Sequence, residues 1–363
     1  MELLVTGAAG FIGSEFVRHI LESRPAWRLV LLDALTYAGR FENLSCLAAG
    51  LETLAVEGHV PEGAIEKAGG LVGRCRLGDL PAKLGDRRSG PGGPLPPLLV
   101  LGDITDASLV ESLVSQVDAV VHLAAETHVD RSLADPGPFV RANVQGTCAM
   151  LEAARRNPRL RRFLHVSTDE VYGDSEGRAA FGEDSPLAPT NPYSVTKAAA
   201  EQMVSAYVRA WKVPAMVVRP TNNFGPRQFP EKFIPTVVTR ALAGEKIPLY
   251  GDGRQVRDWL HVSDTAQALR LVLEKGAVGR AYNVAGRNPR ENRDVAGDIL
   301  RGLGLGEDRI ERVPDRPGHD RAYAIDDSRI RTELGFENSR SFELQLAETI
   351  RWYRENRSRG NPS

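Results

Sequence analysis

Residues 2–13 read Glu2-Leu3-Leu4-Val5-Thr6-Gly7-Ala8-Ala9-Gly10-Phe11-Ile12-Gly13. A short apolar run meets three glycines spaced three apart, and an amphipathic pattern follows over 11–22. The run reads as a strand entering a tight turn that opens a helix. Glycine permits such a turn and lets backbone N–H groups approach a bound anion, while the helix N-terminus adds a favourable dipole.

Working outward, further strands are expected at 28–32, 98–101, 118–122, 162–166 and 214–219, with helices near 106–116, 136–156 and 192–211. Apolar strands alternating with amphipathic helices predict an α/β fold, a doubly wound, Rossmann-type parallel sheet covered on both faces. Past Arg219 the chain becomes richer in loops, Pro and Gly, which predicts a smaller C-terminal substrate-binding lobe. A helix near 263–275 and a strand near 280–284 are expected to return to the main sheet. The domain reading is therefore 1–219 plus about 258–285 for the larger domain, 220–257 plus 286–345 for the lobe, and 346–363 as a C-terminal helix and tail. Residues 51–97 end in Ser-Gly-Pro-Gly-Gly-Pro-Leu-Pro-Pro (Ser89 to Pro97). Pro lacks a donor and Gly resists ordering, so this segment is expected to be a surface insertion without regular structure.

The turn places a dinucleotide. The second strand ends at Asp33, 20 residues past Gly13. A carboxylate there accepts from a ribose 2′-OH and repels a 2′-phosphate, which favours NAD over NADP. Gly7, Gly10, Phe11, Ile12, Gly13, Asp33 and Thr36 are the candidate contacts, with Asp103 and Ile104 toward the adenine. Composition sets the other limits. The formal net charge is −1, so no global field favours nucleic acid or an anionic membrane. Arg155, Arg156, Arg159, Arg161 and Arg162 read as a solvated helix end. No apolar run has the ~20 residues of a membrane span, and the start carries no leader pattern. Both point to a cytoplasmic protein. Cys46, Cys75 and Cys148 offer neither a disulfide framework nor a metal site, and no metal is expected.

Tyr193 and Lys197 share one face of a helix at i and i+4. An ammonium beside a phenol favours the phenolate and makes it a usable base. The spacing alone is weak evidence, but here it follows the glycine turn and a strand ending in Thr168, Asp169 and Glu170. Two adjacent carboxyl groups whose environments split their pKa values can serve as acid and base. A strand end with polar, solvated residues is the plain alternative.

The glycine spacing resembles the short-chain dehydrogenase/reductase superfamily in its extended, sugar-nucleotide-modifying branch. STDEVYG at 167–173 resembles the signature of the dTDP-glucose 4,6-dehydratase family. So do LTYAG (35–39), HLAAETHVDRS (122–132), NPYSVTKAAAE (191–201), PEKFIP (230–235), YGDGRQVRDWLHV (250–262) and RPGHDRAYAID (316–326). The resemblance spans nearly the whole chain; only 51–97 stands outside it. It implies an internal redox cycle on a nucleoside diphosphate glucose. Tyr193, assisted by Lys197, takes the C4 hydroxyl proton while hydride passes to NAD. Glu170 removes the C5 proton, Asp169 protonates the departing C6 hydroxyl, and the hydride returns to C6. Thr168 hydrogen-bonds the C4 oxygen. The resemblance further implies Ala124 and Ala125 near the cofactor and Thr127, Asn222, Lys232, Arg257, Asn283 and His319 near the substrate. It also implies a homodimer formed through helices near 136–156 and 193–211. UDP-glucose as substrate, and epimerisation or decarboxylation of a sugar nucleotide, are the alternatives. A regulatory binding protein has no need of Tyr193, Lys197, Asp169 and Glu170 together.

Overall fold

The computed structural model describes residues 1–45, 50–69, 72–86, 96–315 and 318–356. Its strands, in chain order, are β1 (Glu2–Thr6), β2 (Arg28–Asp33), β3 (Glu52–Val56), β4 (Val72–Cys75), β5 (Leu98–Leu101), β6 (Ala119–His122), β7 (Arg162–Val166), β8 (Ala215–Pro220), β9 (Asn222–Phe224), β10 (Ile247–Tyr250), β11 (Val256–His261), β12 (Ala281–Val284), β13 (Pro289–Glu291) and β14 (Ile310–Val313). Nine of them form one sheet in the order β12-β8-β7-β6-β1-β2-β5-β3-β4. From β4 to β8 every pairing is parallel. The chain is thus the doubly wound α/β fold that its alternating pattern predicts.

The chain divides into two compact units. The first comprises Met1–Ser167, Asn191–Val218 and Ala266–Tyr282; the second comprises Thr168–Thr190, Arg219–Thr265 and Asn283–Ser363. The strands of the first unit are nearly continuous apolar runs because a parallel sheet is covered on both faces. Leu3, Leu4, Leu31, Val100, Val120 and Leu164 are fully buried. Helices such as Phe11–Ser23 and Ala107–Val114 supply the covering layers. The helical run from Gly137 to Arg156 widens to a π-helix over Val140–Gly146. Arg155, Arg156 and Arg159 at and beyond its end pair with Glu152, Glu111 and Asp118.

The insertion departs from expectation. Residues 52–86 are not a loop: β3, a helix over Ala64–Ala68, β4 and a helix over Leu80–Asp86 follow one another. β3 pairs with β5, and β4 forms the new edge of the sheet. Leu54, Val56, Leu80 and Leu84 join the same buried cluster as Leu4, Val100 and Leu109. The glycines punctuate these elements instead of dissolving them. Gly63 and Gly69 flank the first helix at φ 71° and 60°, values that cost glycine nothing. The Pro/Gly run at 89–95 lies outside the described residues, as do Cys46 and the tail at 357–363.

The second unit has its own core. β9, β11 and β13 form a small sheet, and β10 pairs with β14. Helices Phe233–Ala243, Asn292–Leu303 and Phe342–Glu355 bury Phe224, Ile234, Val237, Ile299, Leu346 and Tyr353 together. No helix among the described residues is long and apolar enough to cross a membrane.

Candidate active site

In the first unit, the turn after β1 lies at the carboxyl edge of the sheet. Gly7 sits at φ 67°, and a Cβ there would stand 2.7 Å from Ala124 N. A Cβ on Gly13 would stand 2.0 Å from Gly7 O. Only glycine closes this turn onto its helix. That helix starts at Phe11 with no side-chain cap and no acidic residue in its first turn. The amides of Phe11, Ile12 and Gly13, which an α-helix leaves without intrahelical acceptors, are thus available to an anion.

A cavity of about 340 Å³ opens beside the turn. Gly7, Gly10, Asp33, Thr36, Asp103, Ile104, Ala124 and Ala125 all contribute to its wall. Phe11, Ile12, Gly13, Thr127, Tyr193 and Lys197 do not. Asp33 is wedged in place: its carboxylate accepts from Ala9 N and Leu35 N at 2.8 Å each, and burial pushes its pKa up. These features fit NAD. Uncapped helix amides suit a pyrophosphate, and a fixed carboxylate at the end of β2 suits a ribose diol. Arg141, which sequence reasoning missed, is the one cation on the wall among the described residues.

Tyr193 and Lys197 are placed by the helix Pro192–Trp211. Its capping box joins Asn191 Oδ1 to Ser194 N at 2.9 Å, with Pro192 at the first helical position. Tyr193 lies in the first turn, where the dipole favours a phenolate. It is buried, with its ring edge-on to Phe139 at 6.4 Å. Lys197 is buried one turn later and donates to Val166 O at 2.7 Å. Burial lowers its pKa to about 8, and Glu201 partly offsets this.

A polar chain connects this helix to the glycine turn. Ala124 N donates to Thr6 Oγ1 at 3.2 Å, and Thr6 Oγ1 meets His122 Nδ1 at 2.7 Å. His122 Nε2 meets Thr147 Oγ1 at 3.1 Å, and Thr147 donates to Asn143 O at 2.6 Å. That last bond makes Thr147 the acceptor from Nε2–H, which leaves Nδ1 to accept from Thr6. Burial holds the His122 pKa down to about 3, so the ring is neutral as this tautomer requires. Asn143 donates to Glu126 O at 3.0 Å and to Thr196 Oγ1 at 2.9 Å, and Thr196 donates to Tyr193 O at 2.7 Å. Sequence reasoning missed Thr6, His122 and Asn143. The available signal was a polar residue closing each of two otherwise apolar strands, Thr6 on β1 and His122 on β6.

The second unit carries the carboxyl pair. Thr168 and Asp169 are buried and Glu170 is half-buried. Thr168 Oγ1 donates to Asp169 Oδ1 at 3.2 Å and accepts from Glu170 N at 3.3 Å. Asp169 Oδ2 is buried without a hydrogen-bond partner among the described residues. Burial, then the neighbouring charges of Glu170 and Asp258, push the Asp169 pKa well above the ordinary carboxyl range. Asp169 is therefore a protonated acid at a pH where ordinary carboxyls are ionised.

The expected substrate residues of this unit fare unequally. Asn222, on β9, keeps a buried Oδ1 with no partner among the described residues. Lys232 stands at the N-cap of the helix Phe233–Ala243. His319 pairs with Asp315 at 2.6 Å and packs edge-on to Tyr250. Arg257 is buried, lies 4.3 Å over the Tyr323 ring and donates to Val256 O and Asp320 O at 2.7 and 2.9 Å. Its charge is present, but two of its nitrogens serve backbone carbonyls. Asn283 is fully buried; its amide donates to Phe181 O and Asp326 O at 3.0 Å each and accepts from Tyr172 OH at 2.8 Å. Those bonds knot three stretches of the protein together.

Among the described residues no group of His, Cys, Asp and Glu is arranged to hold a metal. The model of the NAD dependent epimerase/dehydratase family matches residues 3–285. A dTDP-glucose 4,6-dehydratase of Streptomyces antibioticus is 43% identical over 367 residues, covering 100% of this chain and 95% of that protein. Another, of Mycolicibacterium smegmatis, is 44% identical over 365 residues, covering 100% and 96%. Among solved structures, a dTDP-glucose 4,6-dehydratase from Streptomyces venezuelae with NAD bound superimposes with a TM-score of 0.84 at 39% identity, covering 100% of this chain and 99% of that one.

Proposed function

This chain belongs to the NAD dependent epimerase/dehydratase family, and from that we propose that it is a dTDP-glucose 4,6-dehydratase. It converts dTDP-glucose to the 4-keto-6-deoxy sugar nucleotide with loss of water. The observation that supports dehydration over epimerisation is the Asp169 carboxyl. It is buried, its pKa is pushed well above the ordinary carboxyl range, and one of its oxygens has no hydrogen-bond partner among the described residues. A hydroxide leaving group needs an acid, whereas an epimerase or decarboxylase has no use for one beside Glu170.

Bound NAD supplies the oxidant for C4 and, once reduced, the reductant for C6. The protein residues do the proton work. Tyr193, at a helix N-terminus and one turn from Lys197, takes the C4 hydroxyl proton. Once C4 is a ketone, the C5 proton is acidic and Glu170 removes it. Asp169 gives its proton to the departing C6 oxygen, and Thr168 orients the pair through the bonds described above. The first unit holds NAD, with Gly7, Gly10, Asp33, Thr36, Asp103, Ile104, Ala124 and Ala125 around it and the amides of Phe11, Ile12 and Gly13 on its pyrophosphate. The proposed sugar-nucleotide contacts are Thr127, Asn222, Lys232, Arg257, Asn283 and His319.

The working form is a cytoplasmic homodimer. Val140, Val195 and Trp211, on the two helical stretches expected to pair, are apolar yet 45%, 48% and 50% exposed, a face that a second copy would cover. Cys75 and Cys148 are free thiols, as suits a reducing compartment.

The decisive assay incubates purified protein with dTDP-glucose. A 4-keto sugar is read by its alkali-induced absorbance, and loss of water by mass spectrometry. Product is expected without added NAD, because the cofactor is regenerated each turnover and stays bound. No product from dTDP-glucose or UDP-glucose, with NAD supplied, would overturn the assignment.

A further inference from the structure

The segment 52–86 reaches the cofactor cavity without forming any of its wall. Parallel pairing sets Ala55 beside Leu101, and Leu101 beside Asp33. The carboxyl ends of β3, β5 and β2 therefore share one edge, the edge where such sheets bind ligands. Two side chains of the segment meet the loops there. Lys67, in the helix Ala64–Ala68, donates from Nζ to Leu35 O at 2.7 Å. His59, in the turn after β3, meets Asp106 Oδ2 through Nδ1 at 2.5 Å.

Each contact falls on a position that shapes the cavity. Leu35 has φ 47° and a buried side chain. A branched residue resists this left-handed conformation unless its surroundings enforce it. Its N–H is fixed by Asp33 Oδ1 at 2.8 Å and its carbonyl by Lys67. The residues on either side, Ala34 and Thr36, are cavity wall. Asp106 caps the helix Ala107–Val114 by accepting from Leu109 N at 3.1 Å, and its own N–H donates to Asp103 O at 3.1 Å. Asp103 and Thr105 are cavity wall as well.

We infer that residues 52–86 brace the ribose and adenine loops of the NAD cavity, Lys67 by holding the left-handed turn at Leu35 and His59 by holding Asp106, and that this brace slows cofactor release. The inference rests on the NAD assignment above. Loops already in their bound shape lose less freedom on binding, and the gain falls mainly on the dissociation rate. Lys67 and His59 are positioning residues, since neither is on the cavity wall.

The test measures NAD affinity by calorimetry and NAD release from the purified holoprotein, for wild type, Lys67→Met, Lys67→Arg and His59→Phe. Lys67→Met is expected to raise the Kd about tenfold, the low end of the scale of one lost hydrogen bond to a charged donor, mainly through faster release. Lys67→Arg, which keeps a cationic donor, should restore most of it. The kcat at saturating NAD and the melting temperature of NAD-free protein should stay at wild-type values. If wild type takes up no NAD, the cofactor assignment itself falls. If wild type binds NAD and both Lys67→Met and His59→Phe match its Kd and release rate, the brace is wrong. A lower melting temperature with unchanged Kd also overturns it, by making the segment a purely structural addition.

Discussion

In the first unit, Thr6, His122, Thr147, Asn143 and Thr196 satisfy one another in a continuous chain. In the second unit Asp169 Oδ2, Asn222 Oδ1 and Gln255 Oε1 are buried polar atoms with no hydrogen-bond partner among the described residues. An unsatisfied buried polar group costs about 1–3 kcal/mol. Most of the first unit's buried polar side chains are satisfied; the His165 ring nitrogens and Ser167 Oγ are buried with no hydrogen-bond partner among the described residues. The second unit carries more such unmet demand, of the kind a polyhydroxylated ligand would fill. Each unit also buries a titratable group proposed for the reaction, and burial drives both toward neutrality: Lys197 downward and Asp169 upward.

The largest effects should separate the two units by chemistry. Asp169→Asn and Tyr193→Phe are each expected to lower product formation by roughly 10²–10⁴-fold. They should differ in the near-ultraviolet absorbance of reduced nicotinamide. Asp169→Asn stalls after C4 is oxidised and accumulates the signal, whereas Tyr193→Phe stalls before it and shows none. Identical traces from the two variants would break the proposed division of labour.

A smaller effect concerns stability against pH. The folded state binds the Asp169 proton more tightly than the unfolded state does. That contribution is full below the ordinary carboxyl pKa and is lost as pH rises through the raised folded value. Asp169→Asn removes the loss, so the inactive variant should melt above wild type at neutral pH. Lys197 runs the other way. Its folded pKa of about 8 lies below the ordinary 10.5, so the folded state releases the proton first and stability rises with pH across that window. The gain is roughly 3 kcal/mol at most. Denaturant titrations at a series of pH values should show the rise in wild type and a flat line in Lys197→Met. A rise that survives the substitution would refute it.

The smallest expected effect concerns Asn283. Asn283→Ala should cost about 1–3 kcal/mol of stability by freeing two carbonyls and the Tyr172 hydroxyl, together with a raised KM for the sugar nucleotide. Lowered melting with an unchanged KM would remove Asn283 from the substrate contacts.

What could be read in advance followed from the range of the interactions. The strand, glycine turn and helix at 2–22 are set by neighbours in sequence, as is the Tyr193–Lys197 spacing. Seven of the nine strands of the central sheet, all but β3 and β4, were placed to within about one residue, because a parallel strand buried on both faces leaves a plain apolar run. The insertion was misread because β3 and β4 are short, and glycines at the ends of elements look like glycines within a loop. Their strand character comes from docking onto β5, a partner that the local pattern does not reveal. The bonds of Asn283 were hidden for a similar reason: its three partners at 172, 181 and 326 come from distant parts of the chain.

The edge formed by β4 has a consequence for self-association. An exposed strand edge is a template for pairing with other chains, and short, charged or glycine-bearing strands make poor templates. β4 is Val-Gly-Arg-Cys, four residues with Gly73 and Arg74 exposed. Without the segment 52–86, the edge would pass to β5, whose Leu98-Leu99-Val100-Leu101 run is wholly apolar and now buried. The segment therefore also acts as a guard against aggregation, and a version of this protein trimmed back to the bare dinucleotide sheet would expose a sticky apolar border unless Leu98 and Val100 were replaced as well.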